Sequence, residues 1–254
     1  MKFSMLPFLY LIQLVAILRV TRNTYDLGQI SGGQKNQINI ILAALTLWGG
    51  LSTYLAMNGY YQSEVFLSSL PGFWITSVPV LIVMIPWMVS KTLRKGIDKV
   101  IDRTPLHLVM VFEGLRVLAI GGIIKGYTGE FSLFFAQVIG IPDFIYGVTT
   151  LIAAHLIYKG AWKEKSAITI NLIGFIILVP FAVALINVGL PGAMYMIEEL
   201  PSLKTIFEFP MALAPTLVVP IFAMVNLFVA LRLIKRQQEE NTGDQMNLHP
   251  VPLG

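Results

Sequence analysis

Seven apolar stretches, each close to the length of a membrane crossing, organise this chain. They cover residues 3–20, 38–57, 73–90, 106–124, 141–158, 167–187 and 211–234. A helix rises about 1.5 Å per residue, so roughly 20 apolar residues cover a hydrocarbon core about 30 Å thick. Such runs could also be buried in a large soluble core, and composition decides between the two. Hydrophobic residues make up 56% of the 254 residues and charged ones 13%, about half the charged fraction of a typical soluble domain. A water-soluble chain of this size lacks the polar cover for that much apolar surface. Lipid is the solvent that fits. The expected fold is all-α, a polytopic transmembrane helical bundle of about seven spans.

The net charge of +4 does not point to nucleic acid, because the basic residues are spread through connectors and form no single patch. They read as topology signals. Fourteen of the 18 Lys and Arg lie at the ends of the first, third, fifth and seventh stretches or in the segments after them: Arg19, Arg22 and Lys35; Lys91, Arg94, Lys95, Lys99 and Arg103; Lys159, Lys163 and Lys165; Arg232, Lys235 and Arg236. The opposite side holds Lys2, Lys125 and Lys204, and Arg116 falls inside a span. This alternation predicts an outside N-terminus and a cytoplasmic C-terminus. Tyr60, Tyr61, Phe73 and Trp74 would mark the outer boundary, with Trp87, Tyr158 and Trp162 at the inner one. The first stretch resembles a signal peptide, but Arg19-Val20-Thr21-Arg22 stands where a small-residue cleavage site would be, so a retained helix is expected. Residues 1–236 are read as one membrane domain and the polar segment 237–254 as a disordered tail.

Charges at depth carry the functional signal, since each costs roughly 2.5–3.5 kcal/mol at a helix centre and tends to face a bundle interior. Glu113 and Arg116 lie i,i+3 in the fourth span and share a face. Residues 131–158 form an apolar run of 28 residues, too long for one straight crossing. Gly140-Ile141-Pro142 is expected to break it, leaving a short re-entrant or interfacial helix over 131–139 before the fifth span. Asp143 would then sit in the first turn of the new helix. Two readings follow. Glu113, Arg116 and Asp143 line a polar cavity for an ion, proton or small polar ligand, with Asn171 as a further candidate. Alternatively they merely hold helices together, with Asp143 as an N-cap. Gln137 and Asn187 read more simply as interhelical glue.

Quieter features have packing explanations. Gly122 with Gly126, and the Gly49–Gly50 pair, would permit close helix approach. Pro210, Pro215 and Pro220 predict an irregular half in the last span, tolerated where neighbouring protein satisfies the freed carbonyls. Glu198–Glu199 reads as a solvated face.

Several chemistries are disfavoured. The chain has no cysteine, which removes disulfides, thiolate metal sites and cysteine nucleophiles. It has no Gly-x-Ser-x-Gly elbow, no phosphate-binding glycine loop and no His-x-x-x-His metal motif. The last span has no lysine in its core for a retinal Schiff base. His107 and His155, near the same ends of spans four and five, could ligate haem or a metal, whereas His249 lies in the tail. No catalytic residue and no cofactor is assigned. A transporter or ligand-binding membrane protein is preferred over an assembly subunit, with a haem-binding redox protein third.

The segment 113–152 contains Glu-Gly-Leu-Arg-Val-Leu-Ala-Ile-Gly-Gly, Gly-Glu-Phe-Ser-Leu-Phe-Phe-Ala and Gly-Ile-Pro-Asp-Phe-Ile-Tyr-Gly-Val-Thr-Thr-Leu. This pattern resembles a group of bacterial multi-pass membrane proteins that share an Arg–Gly helix and a Gly-x-x-Asp-x-x-x-Gly helix start. It departs from them in placing Glu113 ahead of the Arg, where the group often has Gln. The resemblance implies a bacterial inner membrane and draws attention to Arg116 and Asp143. It implies no activity.

Overall fold

The computed structural model describes residues 4–176 and 180–248, with side chains as far as Asn241. All its regular elements are helical; among the described residues there is no strand. Five helices are long and apolar enough to cross a membrane: Gly32–Met57, Pro71–Val89, Leu106–Tyr127, Leu133–Tyr158 and Ala214–Asn241. Their outer faces present large apolar side chains such as Leu47, Ile85, Ile152 and Val89, the surface expected where lipid is the solvent.

Two further expected spans take a different form. Helix α1 (Leu6–Asp26) is long enough, but Gln13, Arg19, Arg22 and Asn23 dilute its apolar character. The stretch 167–187 contains two shorter helices, α11 (Glu164–Ile176) and α12 (Ala182–Val188), and residues 177–179 between them lie outside the described residues. Residue 3 and His249 also lie outside them.

Helix α2 (Gly32–Met57) begins with a reciprocal cap, in which the Ser31 hydroxyl accepts from the Gln34 N–H and the Gln34 side chain accepts from the Ser31 N–H, satisfying two donors the helix cannot. After the short α3 (Glu64–Ser68), Pro71–Val89 comprises the single turn α4 (Pro71–Trp74) and α5 (Ser77–Val89). The connector after it is not a loop. Residues Lys91–Arg103 form α6, whose apolar face buries Leu93 and whose Gly96 rests on Gln34 of α2, while Lys91, Lys95 and Lys99 are exposed as on an interfacial helix. Ser90 caps it by accepting from the Leu93 N–H.

The last membrane-length helix is the hub. In its most apolar window 67% of residues are buried, against 28% in each of the other four. It comprises a π-helical segment, Ala214–Val218, followed by α13 (Val219–Leu248), so the helix continues past residue 236, where a disordered tail was expected. Leu217, Ile221 and Phe222 anchor the main core against Leu9, Leu42 and Leu93. At one end a smaller core of Tyr61, Leu67, Ile75, Leu203, Ile206 and Phe207 closes the bundle. Tyr61 is therefore interior and not an interfacial anchor. At the other end Arg232 makes paired bonds to Asp102 of α6 at 2.8 and 2.7 Å, and Arg236 pairs with Glu164 of α11.

The expected irregularity of the proline-bearing span takes a specific form. Pro220 has no N–H to return to the Thr216 carbonyl in α register, and Trp48 Nε1 of α2 donates to that carbonyl at 2.9 Å. Gln13 Nε2 of α1 donates to the Val218 carbonyl at 3.1 Å. Tyr61 donates to Ser52, and Ser52 to the Thr216 hydroxyl. Neighbouring helices thus satisfy backbone groups that the prolines and the widened turn leave over.

Candidate functional site

The span Leu106–Tyr127 is not one regular helix. α7 (Leu106–Gly114) tightens into a 3₁₀ segment, Leu115–Ala119, before α8 (Ile120–Tyr127) resumes. Arg116 sits in the tight segment. Its partner helix is irregular too, but the expected break at Gly140-Ile141-Pro142 is absent. Instead, α9 (Leu133–Phe135) widens into a π-helical segment, Ala136–Gly140, and runs on without interruption into α10 (Ile141–Tyr158). The wider turn absorbs the donor that Pro142 lacks while the axis continues. Nor is Asp143 an N-cap, because no side chain caps α10.

Asp143 instead accepts from Arg116. Arg116 Nε donates to Asp143 Oδ1 at 2.7 Å, and Nη2 lies 2.5 Å from the same oxygen. Glu113 Oε2 is 3.8 Å from Nη1. The guanidinium also lies 3.9 Å from the ring centroid of Tyr146, a cation–π geometry that strengthens out of water. The Tyr146 hydroxyl donates to Asn226 Oδ1 at 2.9 Å, and Asn226 Nδ2 donates to Glu113 Oε2 at 3.0 Å. Five side chains from three helices therefore form one network. Glu113, Arg116 and Asn226 are almost fully buried, while the Asp143 side chain keeps 16% exposure.

Two glycines make this approach geometrically feasible. A Cβ on Gly147 would stand 2.5 Å from the Val117 nitrogen, so α10 touches the backbone of the 3₁₀ segment there. A Cβ on Gly174 of α11 would stand 2.2 Å from the Tyr146 hydroxyl. The sequence pairs that suggested close packing are each half right. Gly126 abuts Ala136 and Gly49 abuts Tyr10, whereas Gly122 and Gly50 face open space.

Arg116 and Asp143 lie on the wall of a cavity of about 740 Å³. The three irregular segments all contribute to that wall, through Ala119, Ile139 and Val218 among others. Its remaining lining is mainly apolar, with Ser4, Thr76, Ser77, Lys125 and Glu130 as its other polar members. Nη1 and Nη2 of Arg116 and Oε1 of Glu113 are buried without an aligned hydrogen-bond partner, so the network retains unspent polar capacity. π-helical turns within α-helices recur at functional sites.

Other candidates fall elsewhere. Asn171 is buried, but its amide donates to the Ala167 carbonyl one turn back, and its Oδ1 has no partner. Gln137 is exposed, 3.5 Å from the Tyr127 hydroxyl. Asn187 bonds the Gly72 N–H and the Val183 carbonyl, tying α12 to α4. Glu199 is more than a solvated side chain: it accepts from the Ser132 hydroxyl and the Phe134 N–H at the start of α9. The His107 ring packs edge-on against Tyr158 at 5.3 Å, and His155 is exposed. Among the described residues no three His, Cys, Asp or Glu side chains gather in a metal-ligating group. Tyr146 and Asn226 are the members that sequence reading missed. The first shares a helical face with Asp143 at i+3, and the second is a lone amide in the most apolar run of the chain.

No family model, no curated protein and no solved structure matches this chain. What the fold and the site define is a class: an all-α protein with membrane-length apolar helices and a buried Glu–Arg–Asp network beside a large cavity.

Proposed function

We propose that the chain is a multi-pass bacterial inner-membrane protein with seven crossings, its N-terminus outside and its C-terminus in the cytoplasm. It binds a small amphipathic ligand in the cavity beside Arg116 and Asp143, as a transporter or ligand-binding protein. The alternating Lys and Arg distribution supports the orientation. α1 and the α11–α12 pair supply the two crossings beyond the five long apolar helices.

One observation carries the ligand reading: Arg116 and Asp143 meet on the wall of a 740 Å³ cavity whose other surfaces are largely apolar. A bare ion does not need that volume of apolar wall. A molecule with an apolar body and a compact polar head matches both parts, with the head against the ion pair. Two carboxylates face one guanidinium in the network, so a head, proton or cation carrying one positive charge would balance it.

A second reading has its own support. The charge of Arg116 is already matched at 2.5 Å, as in an assembly subunit whose network only joins helices. The absence of cysteine makes these readings separable, because any introduced thiol is the sole reactive one. Ala119→Cys on the cavity wall should react with a membrane-impermeant maleimide added outside, and Ile120→Cys on the lipid face should not. Organic extracts of the purified protein should contain an amphiphile that is missing from Ala119→Trp. An unreactive Ala119→Cys together with identical extracts would leave the assembly reading in its place.

A further inference from the structure

A second cavity, of about 690 Å³, lies between α1, α2, α6, α7 and α13 at the end of the bundle opposite the small core. Its apolar lining includes Leu42, Ile97, Val109, Met224, Val225 and Phe228. The α13 wall from Ile221 to Val229 is about 12 Å tall at 1.5 Å per residue, close to one leaflet of a hydrocarbon core of roughly 30 Å. Leu108, 47% exposed, stands on its open side. The apolar wall is therefore about as tall as one leaflet, with the exposed Leu108 at the surface of the bundle beside it.

Its mouth is basic. Arg19, Arg22 and Arg103 line it against a single acid, Asp26. Arg22 is 3.7 Å from Asp26, with both side chains well exposed, and Arg103 donates to Gln29 at 2.7 Å. Arg19 makes no hydrogen bond or ion pair among the described residues. Beside them Thr21 lines the cavity, 1% exposed, with its hydroxyl buried and unpartnered. A buried hydroxyl in that condition is costly unless something bonds it. An apolar slot one leaflet deep, surmounted by an arginine cluster and an unspent donor, is the chemistry that holds a lipid phosphate above its own tail.

We infer that this cavity is a binding site for an anionic glycerophospholipid of the cytoplasmic leaflet, one acyl chain in the slot and the phosphate at Arg19, Arg22, Arg103 and Thr21. The inference rests on the membrane topology above but uses a different cavity from the Arg116 site, and the two can fail separately. Such a lipid would fill the gap between α1 and α13 and so steady the helix that donates Gln13 to the π-helical segment of the hub.

The test is native mass spectrometry of the purified full-length protein in detergent with added phosphatidylglycerol or phosphatidylcholine. The wild type should retain phosphatidylglycerol more than about fivefold better, since one basic residue near a lipid surface contributes about 1 kcal/mol. Substituting Arg19→Gln, Arg22→Gln and Arg103→Gln together should erase that preference, and Leu108→Trp, on the open side where folding is little affected, should lower retention of both lipids. Ile120→Trp, at an exposed position that lines neither cavity, should leave phosphatidylglycerol retention unchanged. Equal retention of the two lipids by the wild type, or a preference that survives the triple substitution, overturns the assignment.

Discussion

The guanidinium of Arg116 lies 3.9 Å from the ring centroid of Tyr146 and donates from its Nε to the carboxylate of Asp143, three residues before that tyrosine on the same helix. A single turn of α10 thus supplies both the counter-charge and the polarisable surface that let a cation remain in a low-dielectric interior. The tyrosine, bonded in turn to Asn226, links this pair to the hub helix.

Removing the cation should cost more than removing the whole group. Arg116→Ala leaves Glu113 buried and opposed by no charge, and truncating one partner of a buried pair typically costs about 3–5 kcal/mol. Replacing Glu113, Arg116 and Asp143 together by leucine should recover much of that loss. Unfolding in mixed micelles of increasing denaturing detergent measures both. A single variant as stable as the wild type would show that the network does not bear on folding.

Two glycines should respond oppositely to the same added methyl group. Ala is favoured over Gly in a helix by about 1 kcal/mol, and Gly122 has no neighbouring atom within 4 Å of a Cβ. Gly122→Ala should therefore be neutral or stabilising. Gly147→Ala would place its Cβ 2.5 Å from the Val117 nitrogen, so α10 must retreat from the 3₁₀ segment at a cost of about 1–3 kcal/mol. Equal melting temperatures for the two would contradict the close approach.

Trp48 and Pro220 should be coupled. Trp48→Phe removes the donor to the Thr216 carbonyl, which costs about 1–3 kcal/mol for a buried acceptor left unbonded. In Pro220→Ala the restored N–H can take that carbonyl, so the tryptophan change should cost less in that background. A double-mutant cycle reads the coupling directly, and a coupling of zero would mean that the proline does not set the need for Trp48.

Stability should carry a pH signature from α6. Burial pushes the Asp98 carboxyl above the usual carboxylate range, against the opposing pull of Arg232 and Lys235. The folded state therefore holds this proton more tightly than the unfolded chain. That contribution is complete below the unfolded value and is lost as pH rises through the folded one. Melting temperatures of wild type minus Asp98→Asn should fall as the pH is raised from about 4 towards neutrality. A flat difference would mean that the carboxyl is as well solvated folded as unfolded.

Much of the candidate site was legible in the sequence. Glu113 and Arg116 stood out because charge is expensive in an apolar run, and Asp143 because it follows a proline in a stretch too long for one crossing. The spacing of Pro210, Pro215 and Pro220 announced an irregular hub. What pattern could not supply was the response to each irregularity. Pro142 allows a broken helix or a widened turn, and both satisfy the local chain equally. The widened turn is the outcome, in a setting of contacts from far along the chain: Gly126 abuts Ala136, and Glu199 accepts from the Phe134 N–H at the start of α9. Asn171 and Asn226 are each single amides in apolar helices, and no sequence rule ranks them. One bonds back to its own helix and the other reaches Glu113.

The amino-acid order by itself determined the solvent of this protein and the secondary structure that solvent permits, because backbone groups in hydrocarbon must be satisfied within a helix and apolar run length records the thickness to be crossed. Only the tertiary structure decided which polar groups meet. Those contacts depend on helix rotation and separations of an ångström or two, set jointly by side chains far apart in the chain, such as Glu113 and Asn226, or Trp48 and Thr216.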